Sequence, residues 1–170
     1  MSTHTSPRWG RRAHAALGAL VAALPALAGA APRFEDYPVA AIYQGAGARP
    51  VLADPHSRNY ATRLRSAATQ KPDFAGRYVL ATWGCGASCT MSAAIDAKTG
   101  AVTWLPFTVC CWDADVEDHL EYKLDSRLLI VHGARNEQGG GTHYYQFNGR
   151  RFAEIRTPPR RPPQPSEAHR

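Results

Sequence analysis

Phe74–Pro106, FAGRYVLATWGCGASCTMSAAIDAKTGAVTWLP, decides the fold class. Gly76–Trp83 is rich in Tyr, Val and Leu and reads as a strand, and Thr90–Ile95 reads as another. Asp96-Ala97-Lys98-Thr99-Gly100 is a tight turn, with Gly where a positive φ is needed. Ala101–Leu105 returns as the hairpin partner, and Pro106, which has no N–H to donate, closes it.

The same texture continues downstream. Leu120, Tyr122 and Leu124 alternate with Glu121 and Lys123, as in a half-buried strand. Asp125-Ser126 turns the chain, and Leu128–Val131 is an unbroken apolar run, as in a strand buried on both faces. Gly139-Gly140-Gly141 is a loop. Thr142–Phe147 and Arg151–Ile155 flank Asn148-Gly149, a strong hairpin signal. Upstream, Val39–Tyr43 reads as a short strand. Asp54-Pro55 reads as a helix start, a capping carboxylate followed by proline in the first turn. Tyr60, Leu64, Ala67 and Ala68 then recur at helical spacing until Lys71-Pro72. The expected class is α+β and β-dominated: an antiparallel meander of about six to eight strands preceded by one helix.

The N-terminus has the anatomy of an export leader. Arg8, Arg11 and Arg12 precede an apolar, Ala-rich run over Ala15–Ala30, and Ala28-Gly29-Ala30 is a small-x-small cleavage signal. The run is shorter than the roughly 20 residues a spanning helix needs. Residues 1–30 are therefore expected to be a signal peptide, 31–156 a single β-rich domain and 157–170 a Pro/Arg-rich disordered tail. Arg11-Arg12 leaves Sec and twin-arginine export both open. The mature protein is expected in the periplasm or outside the cell, with no transmembrane segment.

The formal charge of +6 is concentrated at the ends. The leader holds three arginines and no acid; the tail from Arg156 holds four arginines and one glutamate; 13 basic and 13 acidic residues lie between. A neutral core offers no electrostatic footprint for nucleic acid.

Cys85, Cys89, Cys110 and Cys111 are the whole cysteine complement. In an oxidising compartment they are expected to form disulfides. Three connectivities are open, and a bridge between the two pairs would close about 22 to 27 residues for roughly 3 kcal/mol. Three residues separate Cys85 from Cys89, one too many for the redox motif of the thioredoxin type. An adjacent pair such as Cys110-Cys111 points to opposite faces in a strand and suits a zinc tetrahedron poorly.

His119, His132 and His143, with Asp113 and Asp115, are candidates for an acid–base or metal cluster, but no metal-ligand spacing links them. Asp113–Asp118 lacks the Gly and terminal Glu of a calcium loop. No Gly-x-Ser-x-Gly is present, and Gly139–Thr142 has no lysine for a phosphate cradle. No cofactor is expected. Trp83, Trp104, Trp112, Tyr144 and Tyr145 form a candidate binding face, since exposed Trp and Tyr anchor recognition surfaces.

Phe74–Tyr78, Trp83-Gly84-Cys85-Gly86 through Cys89, the Asp96–Gly100 turn and Leu124–Leu129 together resemble a group of small uncharacterised exported proteins of Gram-negative bacteria, over roughly Arg58–Ile155. The resemblance implies a single exported domain in an oxidising setting and carries no activity. The leading expectation is a non-enzymatic binding or inhibitor-like module whose partner is a protein or glycan of the envelope or exterior. The alternatives are an envelope enzyme using the histidines with Asp113 or Asp115, or a structural envelope component whose tail meets anionic lipid.

Overall fold

The computed structural model describes residues 30–156, so the expected signal peptide over 1–30, apart from Ala30, and the expected tail from Thr157 lie outside the described residues. Two antiparallel sheets pack face to face, and two short helices cover the outer face of the first. This is the β-dominated α+β class that the strand and turn pattern predicts.

Helix α1 (Pro55–Asn59) starts where the sequence placed it. Asp54 is the N-cap; its carboxylate accepts from Ser57 N at 2.8 Å and from Ser57 Oγ at 2.6 Å. The Ser57 hydroxyl bond, then the backbone bond, hold the Asp54 carboxyl below its ordinary range. Tyr60 leaves helical geometry at φ −107°, ψ 20°, so helix α2 (Ala61–Ala67) is a separate piece, ending before Lys71-Pro72. Leu64, fully buried, plugs it onto Ala81, Ala93 and Ile95 of the first sheet.

Strands β1 (Tyr78–Gly86) and β2 (Cys89–Asp96) form a long hairpin, with Tyr78 opposite Asp96 and Trp83 opposite Met91. The predicted turn follows β2: Gly100 N donates to Asp96 O at 2.7 Å, with Gly100 at φ +76°. The free edge of β2 is then shared. Strand β3 (Val102–Trp104) pairs with Ala93–Ile95, and β4 (Val109–Cys110) pairs with Cys89–Thr90. Three steps along β2, from Ala93 to Thr90, match five along the partner, from Trp104 to Val109, so the chain bulges around Pro106. Strand β7 (Ala134–Arg135) completes this sheet against β4.

The second sheet runs β5–β6–β8–β9: Leu120–Tyr122, Leu128–His132, Thr142–Phe147 and Phe152–Ile155. Its inner face presents Leu120, Leu129, Val131, Tyr145, Phe147 and Phe152 to Leu80, Ala94 and Val109 of the first sheet. Phe74, fully buried, stands at the centre of that core, with Phe147, Phe152 and Tyr122 at ring separations of 5.4, 6.2 and 5.9 Å.

Three local expectations change. Val39–Tyr43 forms no strand: Pro38 makes a single bridge to Ser126, Val39 N donates to Asp125 O, and Tyr43 N donates to Gly76 O. Its bonds go to two different segments, so no ladder builds. The β8–β9 loop is four residues, Asn148–Arg151, because Asn148 Oδ1 accepts from both Arg150 N and Arg151 N at 3.0 Å and widens the turn. Nine strands are described, since two-residue pieces such as β4 and β7 carry no periodicity to read.

The helix layer depends on one hydroxyl. Ser57, fully buried, also accepts from Trp104 Nε1 at 3.1 Å. Ser57→Ala leaves the indole N–H unpartnered against the sheet. The expected loss is about 2 kcal/mol, read as a lower urea midpoint with unchanged slope.

Candidate functional site at the cysteine end

The β1–β2 hairpin tip, the segment from Cys111 to His119 and the loop from Asn136 to Gly141 gather at one end of the sandwich. Loops held on a rigid sheet frame are the usual carriers of function. The frame here is tied at four points. A disulfide joins Cys85 to Cys89 across the tip, beside the bulge at Gly84/Gly86. Cys110 pairs with Cys89 on β2 and with Ala134 on β7. Gly133, at φ +115°, packs against the Cys110 carbonyl and Trp112. Thr90 Oγ1 meets His119 Nε2 at 2.8 Å, joining the two sheets.

The expectation of four bridged cysteines is corrected at the second pair: Cys110 and Cys111 are free thiols. Strand alternation fails for them too. β4 stops at Cys110, and Cys111 sits at φ +57°, a left-handed conformation that brings its side chain to within hydrogen-bonding reach of Cys110. That contact, then burial, raises the Cys110 thiol above its ordinary value. The bridge that does form closes a five-residue ring, worth about 2 kcal/mol in the chain-entropy model. That is less than a bridge between the two pairs would give.

The histidines, dispersed in sequence, are partly reunited. His132 N donates to His119 O at 2.9 Å, so the two are cross-strand neighbours. His132 Nε2 contacts Glu121 Oε1, and its Nδ1 lies 3.2 Å from Thr142 Oγ1. His119 stacks on Trp112 with ring centroids 4.1 Å apart and planes at 12°. His143 is not part of this group; its Nε2 bonds Gly139 O at 2.8 Å. Asp113 and Asp115 stay on the exposed segment, with no side-chain bond to a histidine among the described residues. Glu121 is the partner that sequence reasoning missed. Its place two residues after His119 on an alternating strand was the available signal. Among the described residues no group of three or more His, Cys, Asp or Glu is arranged to hold a metal ion.

Burial pulls His119 below the ordinary histidine value, and the nearby His132 adds to this while Asp118 opposes it. The folded protein therefore prefers neutral His119. The unfolded chain takes up a proton at about pH 6.5, so stability falls as pH drops through that value and levels off once the folded imidazole also charges. His119→Gln is expected to flatten this part of the curve. The check is the urea midpoint of both proteins at neutral and mildly acid pH; equal acid sensitivity would refute the assignment.

The aromatic residues divide among separate places. Trp83 and Trp104 meet Tyr60 and His56 beneath the helices, with Trp83–Trp104 centroids at 5.6 Å and His56–Trp104 at 4.1 Å. Trp83 Nε1 is buried there without a partner among the described residues. Trp112 lies at the cysteine end. Tyr145 is buried, with its hydroxyl accepting from Arg135 at 2.6 Å and its ring against Phe107. Tyr144, half-buried, lies on the outer face of the second sheet. The five residues do not form one continuous face; Trp112 is the one that borders the loop end.

A local group of carboxylates also marks the cysteine end. Asp113, Asp115, Glu117, Asp118, Glu121 and Glu137 surround the cysteine end. Arg77, Lys98, Lys123, Arg127, Arg150 and Arg151 lie at the opposite end, around the Asp96–Gly100 turn and the Asn148–Arg151 loop. Tyr78 and Gly149 pack together there, which fixes those two ends as neighbours. Carboxylates lie among these bases too: Arg77 pairs with Asp96 at 3.0 Å and Lys123 with Glu35 at 3.8 Å.

No helix among the described residues is long and apolar enough to cross a membrane. Comparison with protein-family models, curated proteins and solved structures finds no match to this chain.

Proposed function

We propose that the chain is an exported, non-enzymatic binding or inhibitor-like module of the periplasm or exterior, and that it meets a protein or glycan partner through the cysteine end. The observation that carries this reading is the convergence of three exposed loops around the Trp112–His119 stack, on a frame stapled by Cys85–Cys89. A preorganised aromatic platform ringed by carboxylates suits a partner surface rich in cationic or hydrogen-bond-donating groups. The leader supplies the compartment, and the disulfide agrees with it.

The test uses the tagged mature protein against envelope, medium and host extracts. A stoichiometric partner should be retained by the parent and by Arg127→Ala at the far end, and lost by Trp112→Ala. Recovery of no partner, or equal retention by Trp112→Ala, would remove the support.

One observation favours a second reading, an envelope enzyme. His132 is held by Glu121 and adjoins His119, an arrangement able to move a proton. Elemental analysis of protein purified without chelators addresses its metal-dependent form, which predicts a transition metal or calcium lost in His132→Ala.

A further inference from the structure

Cys89 adjoins two other cysteines and is bonded to one. Its bridge to Cys85 spans a Cα separation of 5.2 Å. On its other side the β2–β4 register sets Cys110 directly opposite. Directly opposed residues of antiparallel strands share a face, with Cα atoms about 4.5 or 5.5 Å apart by pair type. A disulfide accepts Cα separations of about 4.4–6.8 Å. Either partner therefore suits Cys89 without any change in strand pairing. Exposure is graded along this row: Cys85 is exposed, Cys89 half-buried, and Cys110 only 5% exposed. Cys110 is thus shielded from external reagents yet lies directly across from the bridged Cys89. Cys85, between Gly84 and Gly86, has no bulky neighbour in sequence to shield it.

We propose that the cysteines form a thiol–disulfide exchange centre, in which Cys110 displaces Cys85 from Cys89 and the released Cys85 reacts with a low-molecular-weight disulfide. In the first step Cys110 gives its proton to solvent and its thiolate attacks Cys89 Sγ. The Cys89–Cys110 bond forms, the Cys85–Cys89 bond breaks, and Cys85 leaves as a thiolate; nothing is oxidised overall. In the second step that thiolate attacks one sulfur of the external disulfide. A mixed disulfide forms at Cys85, and the other half departs as a thiolate. This inference is independent of the binding reading, because it concerns the sulfurs alone.

The experiment begins from Cys111→Ser, which removes the other exposed thiol. The folded protein is held with oxidised glutathione at mildly alkaline pH, quenched in acid, digested and mapped by mass. Glutathione on Cys85 together with a Cys89–Cys110 cross-linked peptide is the expected result. Adding Cys110→Ala should keep Cys85 tied to Cys89 and lower its glutathione adduct by roughly tenfold or more. Persistence of Cys85–Cys89 as the sole bridge, or equal adduct without Cys110, would overturn the proposal. Should the Cys110→Ala protein fail to fold, Cys85→Ser with Cys111→Ser decides. There oxidised glutathione should accept two electrons from Cys89 and Cys110, yielding their bridge and two reduced glutathiones. A lasting glutathione adduct on Cys89 would instead refute it.

Discussion

Phe74→Ala is expected to lower the unfolding free energy by about 4 kcal/mol. The ring is fully buried and touches rings from three strands of the second sheet: Tyr122 on β5, Phe147 on β8 and Phe152 on β9. Its backbone pairs with Tyr78 at the start of β1, with N–H···O bonds of 2.9 Å in both directions. The residue therefore fastens the first sheet to the second at the point where the long hairpin begins. Truncation removes apolar area and leaves a cavity that rigid strands cannot close, and both effects add. A single domain is stable by only about 5–15 kcal/mol, so the variant should lose a large share of its margin. Urea unfolding followed by tryptophan fluorescence reads it out. Phe74→Leu, which keeps most of the volume, should lose well under half as much. A loss below about 1 kcal/mol for Phe74→Ala would mean that the two sheets do not pack through this ring.

Gly133→Ala is the second large effect, and it links stability to the candidate site. Gly133 occupies φ +115°, a region that L side chains rarely adopt. A methyl group there would overlap the Cys110 carbonyl oxygen and approach Trp112 N and Cβ at 3.2 and 3.3 Å. The conflicting atoms belong mainly to backbone, so no rotamer change relieves them. The expected cost is about 3 kcal/mol, combining backbone strain with displacement of neighbours. The displaced residues are Trp112 and Cys110. Near-ultraviolet circular dichroism should therefore lose intensity in the indole region even where the protein remains folded. Gly139→Ala is the control: it has φ +64° but nothing within 4 Å, so the left-handed penalty alone applies, about 1 kcal/mol. Equal costs for the two substitutions would show that the packing at Gly133 is not restrictive.

Local chemistry was legible where it was self-contained. Asp54-Pro55 starts a helix because its carboxylate satisfies Ser57 N and Oγ three residues on, a relation fixed by spacing alone. The strands at Gly76–Trp83 and Thr90–Ile95 followed from composition, and the hairpin through Asp96–Gly100 from a glycine where φ is positive. Thr142–Phe147 coincides with β8 to the residue, since its apolar pattern and flanking glycine loop bound it on both sides. Val39–Tyr43 had the composition of a strand, but composition cannot supply a free edge. Pro38 lacks a donor, and its neighbours bond to two segments.

Sequence by itself determined the class of fold, the helix start and the turns, because each rests on interactions within a few residues. Tertiary structure decided everything about the candidate site. His119 and His132 become neighbours only through the β5–β6 pairing, and Glu121 joins them by the same register. Trp112 reaches His119 across the six intervening residues, Asp113–Asp118, of irregular chain, for which no periodicity exists. The cysteines illustrate the division most plainly. Their number was in the sequence, but the partner of Cys89 was not. The hairpin tip gave it Cys85, while strand pairing placed Cys110 on its other side. Charge behaves alike: 13 bases and 13 acids cancel in the sum, and only the fold brings Glu137 to the cysteine end with the Asp113–Asp118 run. Such arrangements depend on which strands share an edge, a matter of long-range packing that no local run of residues encodes.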